Sequence, residues 1–76
     1  MELKNFIENF ASQFDETEAD VFQADTKFKE LDEWASLKAL FITVMVDDKY
    51  KVAIKSDDIE SSVTIEDLFN VVKSRI

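Results

Sequence analysis

The side chains of this chain that could do chemistry are hydroxyls, carboxylates and amines, because its 76 residues include no Cys, His, Gly or Pro. Without Cys or His, there is no thiol nucleophile, no imidazole base, no Ser-His-Asp triad and no ordinary zinc site. Without Gly, there is no phosphate-binding P-loop and no dinucleotide-binding fingerprint. We therefore do not expect an enzyme of these motif-bearing classes, and we predict neither a catalytic residue nor a metal ligand set.

Ser36 is the hydroxyl of most interest. It follows an acidic stretch and precedes Leu37, at the start of a segment rich in apolar residues. Ser is a favoured N-cap residue, and this ordinary structural role is the first interpretation of its position. The acidic pairs Asp47-Asp48 and Asp57-Asp58 are interpreted as solvated surface features, because neighbouring carboxylates are common on protein surfaces.

The composition is that of one small acidic domain over residues 1–76. Seventeen acidic residues against nine basic ones give a formal charge of −8. That charge disfavours nucleic acid and anionic membranes as partners and favours basic protein patches, although it also serves solubility alone. A domain of this size has little room for an enclosed substrate cavity. The start of the chain lacks the features of a secretory signal, and we expect a cytoplasmic monomer.

Hydrophobic spacing predicts the elements that position these residues. Residues 2–14 and 64–76 carry large apolar side chains at i, i+3, i+4, i+7 and i+11, which predicts amphipathic helices I and IV. A short helix III is predicted from residue 56, where a serine precedes acids that favour the positive end of a helix dipole. Residues 15–35 lack the helical period and are interpreted as a long loop, anchored on the core by its aromatic residues and containing a short helical turn.

Residues 36–50 are compatible with two structures. Their β-branched residues, followed by alternation over residues 50–54, favour a hairpin that turns at residues 47–49. A tight hairpin turn prefers Asn-Gly or Asp-Gly, however, and this chain has no Gly. As a helix, the segment is apolar over more than half of its circumference. Such a helix must lie centrally or expose part of its apolar stripe to a partner.

Taken together, these features resemble an acyl carrier protein over nearly the whole chain. The resemblance rests on Ser36 followed by Leu37 at the start of the second helix, on Phe28 eight positions earlier, and on a final helix that Thr64 caps. It implies an all-α fold, a four-helix carrier-protein bundle with a long loop between helices I and II and a short helix III. It therefore favours the helix for residues 36–50.

The resemblance also implies a function. A phosphopantetheinyl transferase would attach 4′-phosphopantetheine to Ser36 as a phosphodiester, and the terminal thiol of that arm would hold acyl groups as thioesters. Leu37 and Trp34 are expected beside the arm. The chain would be a carrier and not an enzyme, serving acyl-transfer enzymes, ketosynthases or acyl-activating enzymes of fatty-acid or polyketide-type biosynthesis. An aminoacyl or peptidyl carrier, and an unmodified acidic helical adaptor that binds a basic protein surface, are the alternatives.

Two further sets of residues follow from the resemblance. Those expected to contact partner enzymes are Leu37, Lys38, Leu40, Phe41, Val44, Asp47, Asp48, Asp57 and Asp58. Those expected to line an acyl chain between the helices, or else to form plain core, are Phe6, Ile42, Val46, Ile54, Leu68 and Phe69. The chain departs from the family pattern at Ala35, where an Asp normally helps to engage the transferase and its magnesium ion. Asp32 and Glu33 are the candidates to replace that acid.

Overall fold

The structure is a computed structural model that describes residues 2–76, and this part of the chain is all-helical. Its α-helices are α1 (Leu3–Ala11), α2 (Ser36–Tyr50), α3 (Ser56–Ser61) and α4 (Ile65–Lys73). Two 3₁₀ turns, Ala19–Val21 and Phe28–Glu30, lie in the loop between α1 and α2. Residues 2–76 form no strand, so the hairpin alternative for residues 36–54 is wrong. No helix among them is both long and apolar enough to cross a bilayer.

Aromatic side chains fill the centre of the bundle. Phe6 and Phe10 of α1 are fully buried, and the ring of Phe6 meets that of Phe69 edge-on, with 5.6 Å between the centroids. The buried residues of α4 follow the predicted spacing and are Ile65, Leu68, Phe69 and Val72. The predictions of helices I and IV are thus confirmed, although α1 ends at Ala11 and Ile76 is exposed.

Thr64 caps α4 as predicted. Its hydroxyl oxygen accepts a hydrogen bond from the Asp67 amide at 3.1 Å, and the Asp67 carboxylate accepts one from the Thr64 amide at 3.0 Å. This reciprocal capping box satisfies two amides that a helix start leaves without intrahelical partners. The amide hydrogen bonds from Thr64 and Val63 hold the pKa of Asp67 below its usual range.

The long loop between α1 and α2 is anchored on the core, as its aromatic residues predict. Phe22 is buried, and the fully buried Phe28 packs edge-on against Phe10, with 5.2 Å between the ring centroids. The carbonyl oxygen of Thr26 accepts a hydrogen bond from the Ile65 amide at the start of α4, at 3.1 Å. These contacts fix the path of the chain as it approaches α2.

Helix α2 is apolar on two faces. The residues that it buries in the core are Ile42, Met45 and Val46. The large apolar residues that it exposes to solvent are Leu37, Leu40, Phe41 and Val44. We call this second set the exposed stripe. Helical spacing alone would place Met45 beside this stripe, whereas the structure buries Met45 in the core. The sequence allowed α2 either to lie centrally or to expose part of its apolar stripe. The structure combines the two, because one apolar face of α2 lies in the core and the other is exposed.

Candidate functional site

Ser36 is the first residue of α2, and its side chain is exposed. The N-cap position falls one residue earlier, on Ala35, whose methyl group cannot accept a hydrogen bond. The interpretation of Ser36 as an N-cap residue is therefore wrong. Within the part of the chain that is described, the Ser36 hydroxyl forms no hydrogen bond. Its oxygen is consequently free to react or to be modified.

A groove of about 800 Å³ begins at Ser36 and lies between α2 and α3. The apolar residues that line it are Trp34, Ala35, Ala39, Leu40, Ile54 and Ile59. Ala39 and Thr43 are one helical turn apart on α2, and their small side chains leave the space that a larger residue would fill. The hydroxyl of Thr43 is satisfied by the Ala39 carbonyl oxygen at 2.9 Å. The groove thus presents a largely apolar surface next to a free hydroxyl.

Trp34 both anchors the loop and lines this groove. Its ring packs edge-on against Phe28, at 5.0 Å between centroids, and nearly parallel to Phe14, at 6.4 Å. This packing agrees with the prediction that the aromatic residues of the long loop anchor it on the core. Its place in the groove wall leaves one part of the indole beside Ser36. A contact with an attached arm stays a prediction.

The turn that precedes Ser36 is held by the carboxylate of Glu33. This carboxylate accepts hydrogen bonds from the amides of Asp15 and Glu16, at 2.9 and 3.0 Å, and from the hydroxyl of Thr17 at 2.8 Å. The ammonium of Lys38 lies 3.2 Å away. Partial burial opposes ionisation of Glu33, but these four donors outweigh it and lower its pKa to about 2.

Neither candidate for the missing acid is among the residues that line the groove. Glu33 is engaged by the donors just described, and Asp32 lines a separate shallow hollow together with Glu16 and Glu18. The one acidic residue that lines the groove together with Ser36 is Glu60, which the sequence did not suggest as a replacement for the missing acid. Nowhere in residues 2–76 do three or more potential metal-ligating side chains gather.

Lys38 is largely withdrawn from the surface. Its side chain is only 12% exposed, and its ammonium donates to the carbonyl oxygen of Gln13 at 2.7 Å. The same ammonium lies 5.3 Å from the ring centroid of Phe14 and 5.5 Å from that of Phe41. Its contacts join both ends of the long loop to α2. Lys38 thus differs from the other α2 residues expected to contact partners, since its charge is used within the chain.

The remaining partner-contact candidates fall into two groups. In the exposed stripe, Leu37 and Val44 are each 58% exposed, Leu40 is 56% exposed and Phe41 is 39% exposed. The acidic residues Asp47, Asp48 and Asp57 are exposed as well. The α2 members of both groups therefore form an apolar surface that ends in two carboxylates.

Asp58 is the exception among the acidic candidates. Its two oxygens receive both terminal nitrogens of the Arg75 guanidinium, at 2.6 and 2.7 Å, and one of them also accepts from the Lys55 amide at 2.9 Å. The Arg75 hydrogen bonds, followed by that amide, lower the pKa of Asp58 to about 2. The bidentate pair ties α3 to the end of the chain, so this carboxylate is already occupied.

The residues expected to line an acyl chain lie in the core. Ile54 lines the groove. Ile54 is nevertheless only 4% exposed, and it packs in the core together with the other five, Phe6, Ile42, Val46, Leu68 and Phe69. Sequence reasoning did not single out Ala39, Thr43 or Ile59 for the groove. The i, i+4 spacing of the two small residues on an otherwise bulky helix was the available signal.

Comparison with known proteins assigns no family to this chain. It gives no significant match to protein-family models, to curated proteins or to solved structures. The case for a function therefore rests on the free hydroxyl, the groove beside it and the exposed stripe.

Proposed function

We propose that this chain is a free-standing carrier protein, not an enzyme, whose Ser36 carries 4′-phosphopantetheine and thereby shuttles acyl chains as thioesters. The observation that carries the proposal is the Ser36 hydroxyl, which is exposed, forms no hydrogen bond with the described residues and stands at the edge of a largely apolar groove. The order of elements supports it, since α1, a long loop, α2, a short α3 and α4 follow the order of the carrier family.

The residues around Ser36 fit a phosphodiester at this position. Helix α2 is 15 residues long, and the amides of Ser36 and Leu37 at its start have no hydrogen-bond partner among the described residues, whereas the Lys38 amide donates to the Ala35 carbonyl oxygen. These amides and the helix dipole favour a phosphate there. When bound, the arm supplies a terminal thiol, which the chain itself lacks. The chain's own residues hold the attachment point, and their apolar groove wall is available to an acyl chain.

The groove supports a surface position for the cargo. Leu40 is 56% exposed and would contact an acyl chain directly, whereas Ile54 and Ile59 also line the groove but are only 4% and 5% exposed. The other five residues of the lining prediction do not line the groove and would contact an acyl chain only if the helices separated, because they are buried in the core. The cost of separating them rises with the apolar surface that is uncovered. We therefore propose the groove as the first contact of the chain and the core as a deeper one.

The exposed stripe supports docking by partner enzymes. It places large apolar side chains beside Ser36 and ends at Asp47 and Asp48. We propose that a phosphopantetheinyl transferase, and the acyl-transfer, ketosynthase or acyl-activating enzymes of the pathway, dock an apolar depression with a basic rim on this face. The acidic end of the stripe selects the basic rim, and the apolar part supplies the contact area.

The test is modification in vitro. The purified chain is incubated with coenzyme A and a broad-specificity phosphopantetheinyl transferase, and its intact mass is measured. We expect the mass of one 4′-phosphopantetheine to be added to the native protein and none to Ser36→Ala. Ser56→Ala is the matched control, because Ser56 is also the exposed first residue of a helix and lines the same groove. An unchanged native mass across several transferases would favour the unmodified adaptor instead.

A further inference from the structure

The groove beside Ser36 has more basic than acidic residues, on a protein whose formal charge is −8. Its ionisable lining residues are Lys29, Lys55 and Glu60. Of two other surface grooves, one is lined by Lys4 and Glu8 and the other by Asp48 and Lys49, so each has one lysine and one acid. The hollow at Asp32 has four acids and no base. The local excess of positive charge is therefore specific, among these four, to the groove that contains Ser36.

Lys29 is held in place before any ligand binds. Its ammonium donates to the backbone carbonyl oxygen of Glu60 at 2.7 Å and lies 5.9 Å from the ring centroid of Phe28. An ammonium has three N–H donors, and this bond uses one of them. Because the side chain is already ordered, binding an anion loses less conformational entropy than it would with a free lysine.

Lys55 stands at the start of α3. Its backbone amide is bound by the Asp58 carboxylate at 2.9 Å, which fixes the residue, while its ammonium forms no salt bridge with the described residues. The bidentate Arg75 pair is the main cause of the lowered pKa of Asp58, and the charge of Lys55 is the smallest of the causes given by its neighbours. The Lys55 ammonium can therefore still bind an anion in the groove.

We propose that Lys29 and Lys55 bind the phosphodiester of the arm on Ser36 and so draw the arm into the groove. This inference rests on the proposed function. Attachment of the arm adds a negative charge to an already acidic chain, and self-repulsion makes such a charge unfavourable. Two lysines that line the same groove as the attachment point offset that repulsion. The apolar wall formed by Leu40, Ile54 and Ile59 then receives the less polar part of the arm or its cargo.

The experiment measures how attachment of the arm changes the melting temperature, and compares this change between native and variant proteins. Native protein and Lys29→Gln/Lys55→Gln are each prepared with and without the arm, and the modification is checked by intact mass. Lys27→Gln/Lys49→Gln is the matched control, since it removes the same charge from lysines that do not line this groove. We expect the arm to lower Tm by about 2–6 °C more in the groove variant than in the native and control proteins. This difference should shrink at high salt.

Trp34 supplies a second readout, because it is the single Trp of the chain and lines the groove. We expect attachment of the arm to shift its emission to shorter wavelength in the native and control proteins, and less in the groove variant. Lys29→Gln also removes the bond to Glu60, so Lys55→Gln alone is included as a variant that loses no structural hydrogen bond.

The outcomes separate the two proposals. A modified protein whose Tm change and Trp34 emission are the same in the groove variants and the control overturns the role of the lysines and leaves the carrier function standing. A native protein that no transferase modifies overturns the carrier function and this inference with it.

Discussion

The ammonium of Lys38 lies 3.2 Å from the carboxylate of Glu33, so this ion pair spans Ser36 in the sequence. The carboxylate also binds the start of the long loop through Thr17, and the ammonium binds the same part of the loop through the carbonyl oxygen of Gln13, two residues after α1 ends. Both side chains are 12% exposed. The pair therefore connects the two ends of the loop to the first turn of α2. We call it the Glu33–Lys38 clamp.

Loss of the clamp should loosen the loop and the start of α2. We expect Glu33→Gln and Lys38→Met each to lower Tm, and the double variant to lower it by less than the sum, because both changes remove the same contact. Amide hydrogen exchange should become faster in residues 13–17 and 33–38 and stay unchanged in α4. Glu30→Gln is the control, since Glu30 is an exposed acid of the same loop. Additive Tm losses, or unchanged exchange, would contradict the clamp.

Acid should destabilise the fold through Glu33 and Asp58. Both pKa values are lowered to about 2, from ordinary values of 4.5 and 3.8. A carboxylate with a lowered pKa stabilises the folded state above its ordinary pKa, and this contribution is lost as the pH falls towards the lowered value. We therefore expect Tm to fall as the pH is lowered from about 4.5 to about 2.

Arg75→Gln isolates the part due to Asp58, because the Arg75 guanidinium is the main cause of its low pKa. We expect this variant to have a lower Tm near neutral pH and a shallower loss of Tm in acid. Titration of Tm by circular dichroism measures both. A loss in acid as steep as that of the native protein would show that the pair does not govern the acid response.

Ala35→Asp should improve both the helix and its modification. Ala35 holds the N-cap position with extended backbone and no side-chain hydrogen bond, and Asp at such a position stabilises a helix by about 0.5–2 kcal/mol. The same change restores the acid that the carrier family has before its serine. We therefore expect a higher Tm and a faster transferase reaction. Ala53→Asp, at an exposed alanine that is not an N-cap residue and does not line the groove, is the control for added charge. A stabilised variant with an unchanged reaction rate would argue against a transferase role for this acid.

The exposed stripe should matter for partners and little for stability. We expect Leu37→Ser/Val44→Ser to raise the KM of the transferase by about tenfold or more, because apolar contacts near the centre of an interface dominate its affinity. Its unfolding free energy should stay within about 1 kcal/mol of the native value, since both side chains are mostly exposed. Val63→Ser changes a comparably exposed valine outside α2. An equal KM in all three proteins would exclude the stripe from docking.

How far the sequence predicted the fold depends on the range of the interactions involved. Helix α4 was predictable because its apolar spacing and the Thr64 cap act within a few residues. The core-facing side of α2 was not, because both of its faces are apolar and periodicity alone cannot distinguish Met45 from Val44. The separation of 16 positions between Thr17 and Glu33 puts the clamp beyond local patterns.

The candidate site shows the same division. Residue type and sequence context singled out Ser36, whereas the absence of its capping bond follows from a helix that starts one residue earlier than the sequence indicated. The lysines of the groove come from the loop and from the start of α3, and only the packing of these segments brings them together.

The most direct test of the account is the intact mass of the protein purified from the cell that produces it, followed by fragmentation to locate any added group. We predict the mass of one 4′-phosphopantetheine on Ser36, alone or with an acyl group attached to its thiol. A protein that carries no added mass at Ser36, from cells in which other phosphopantetheine carriers are modified, would contradict the account.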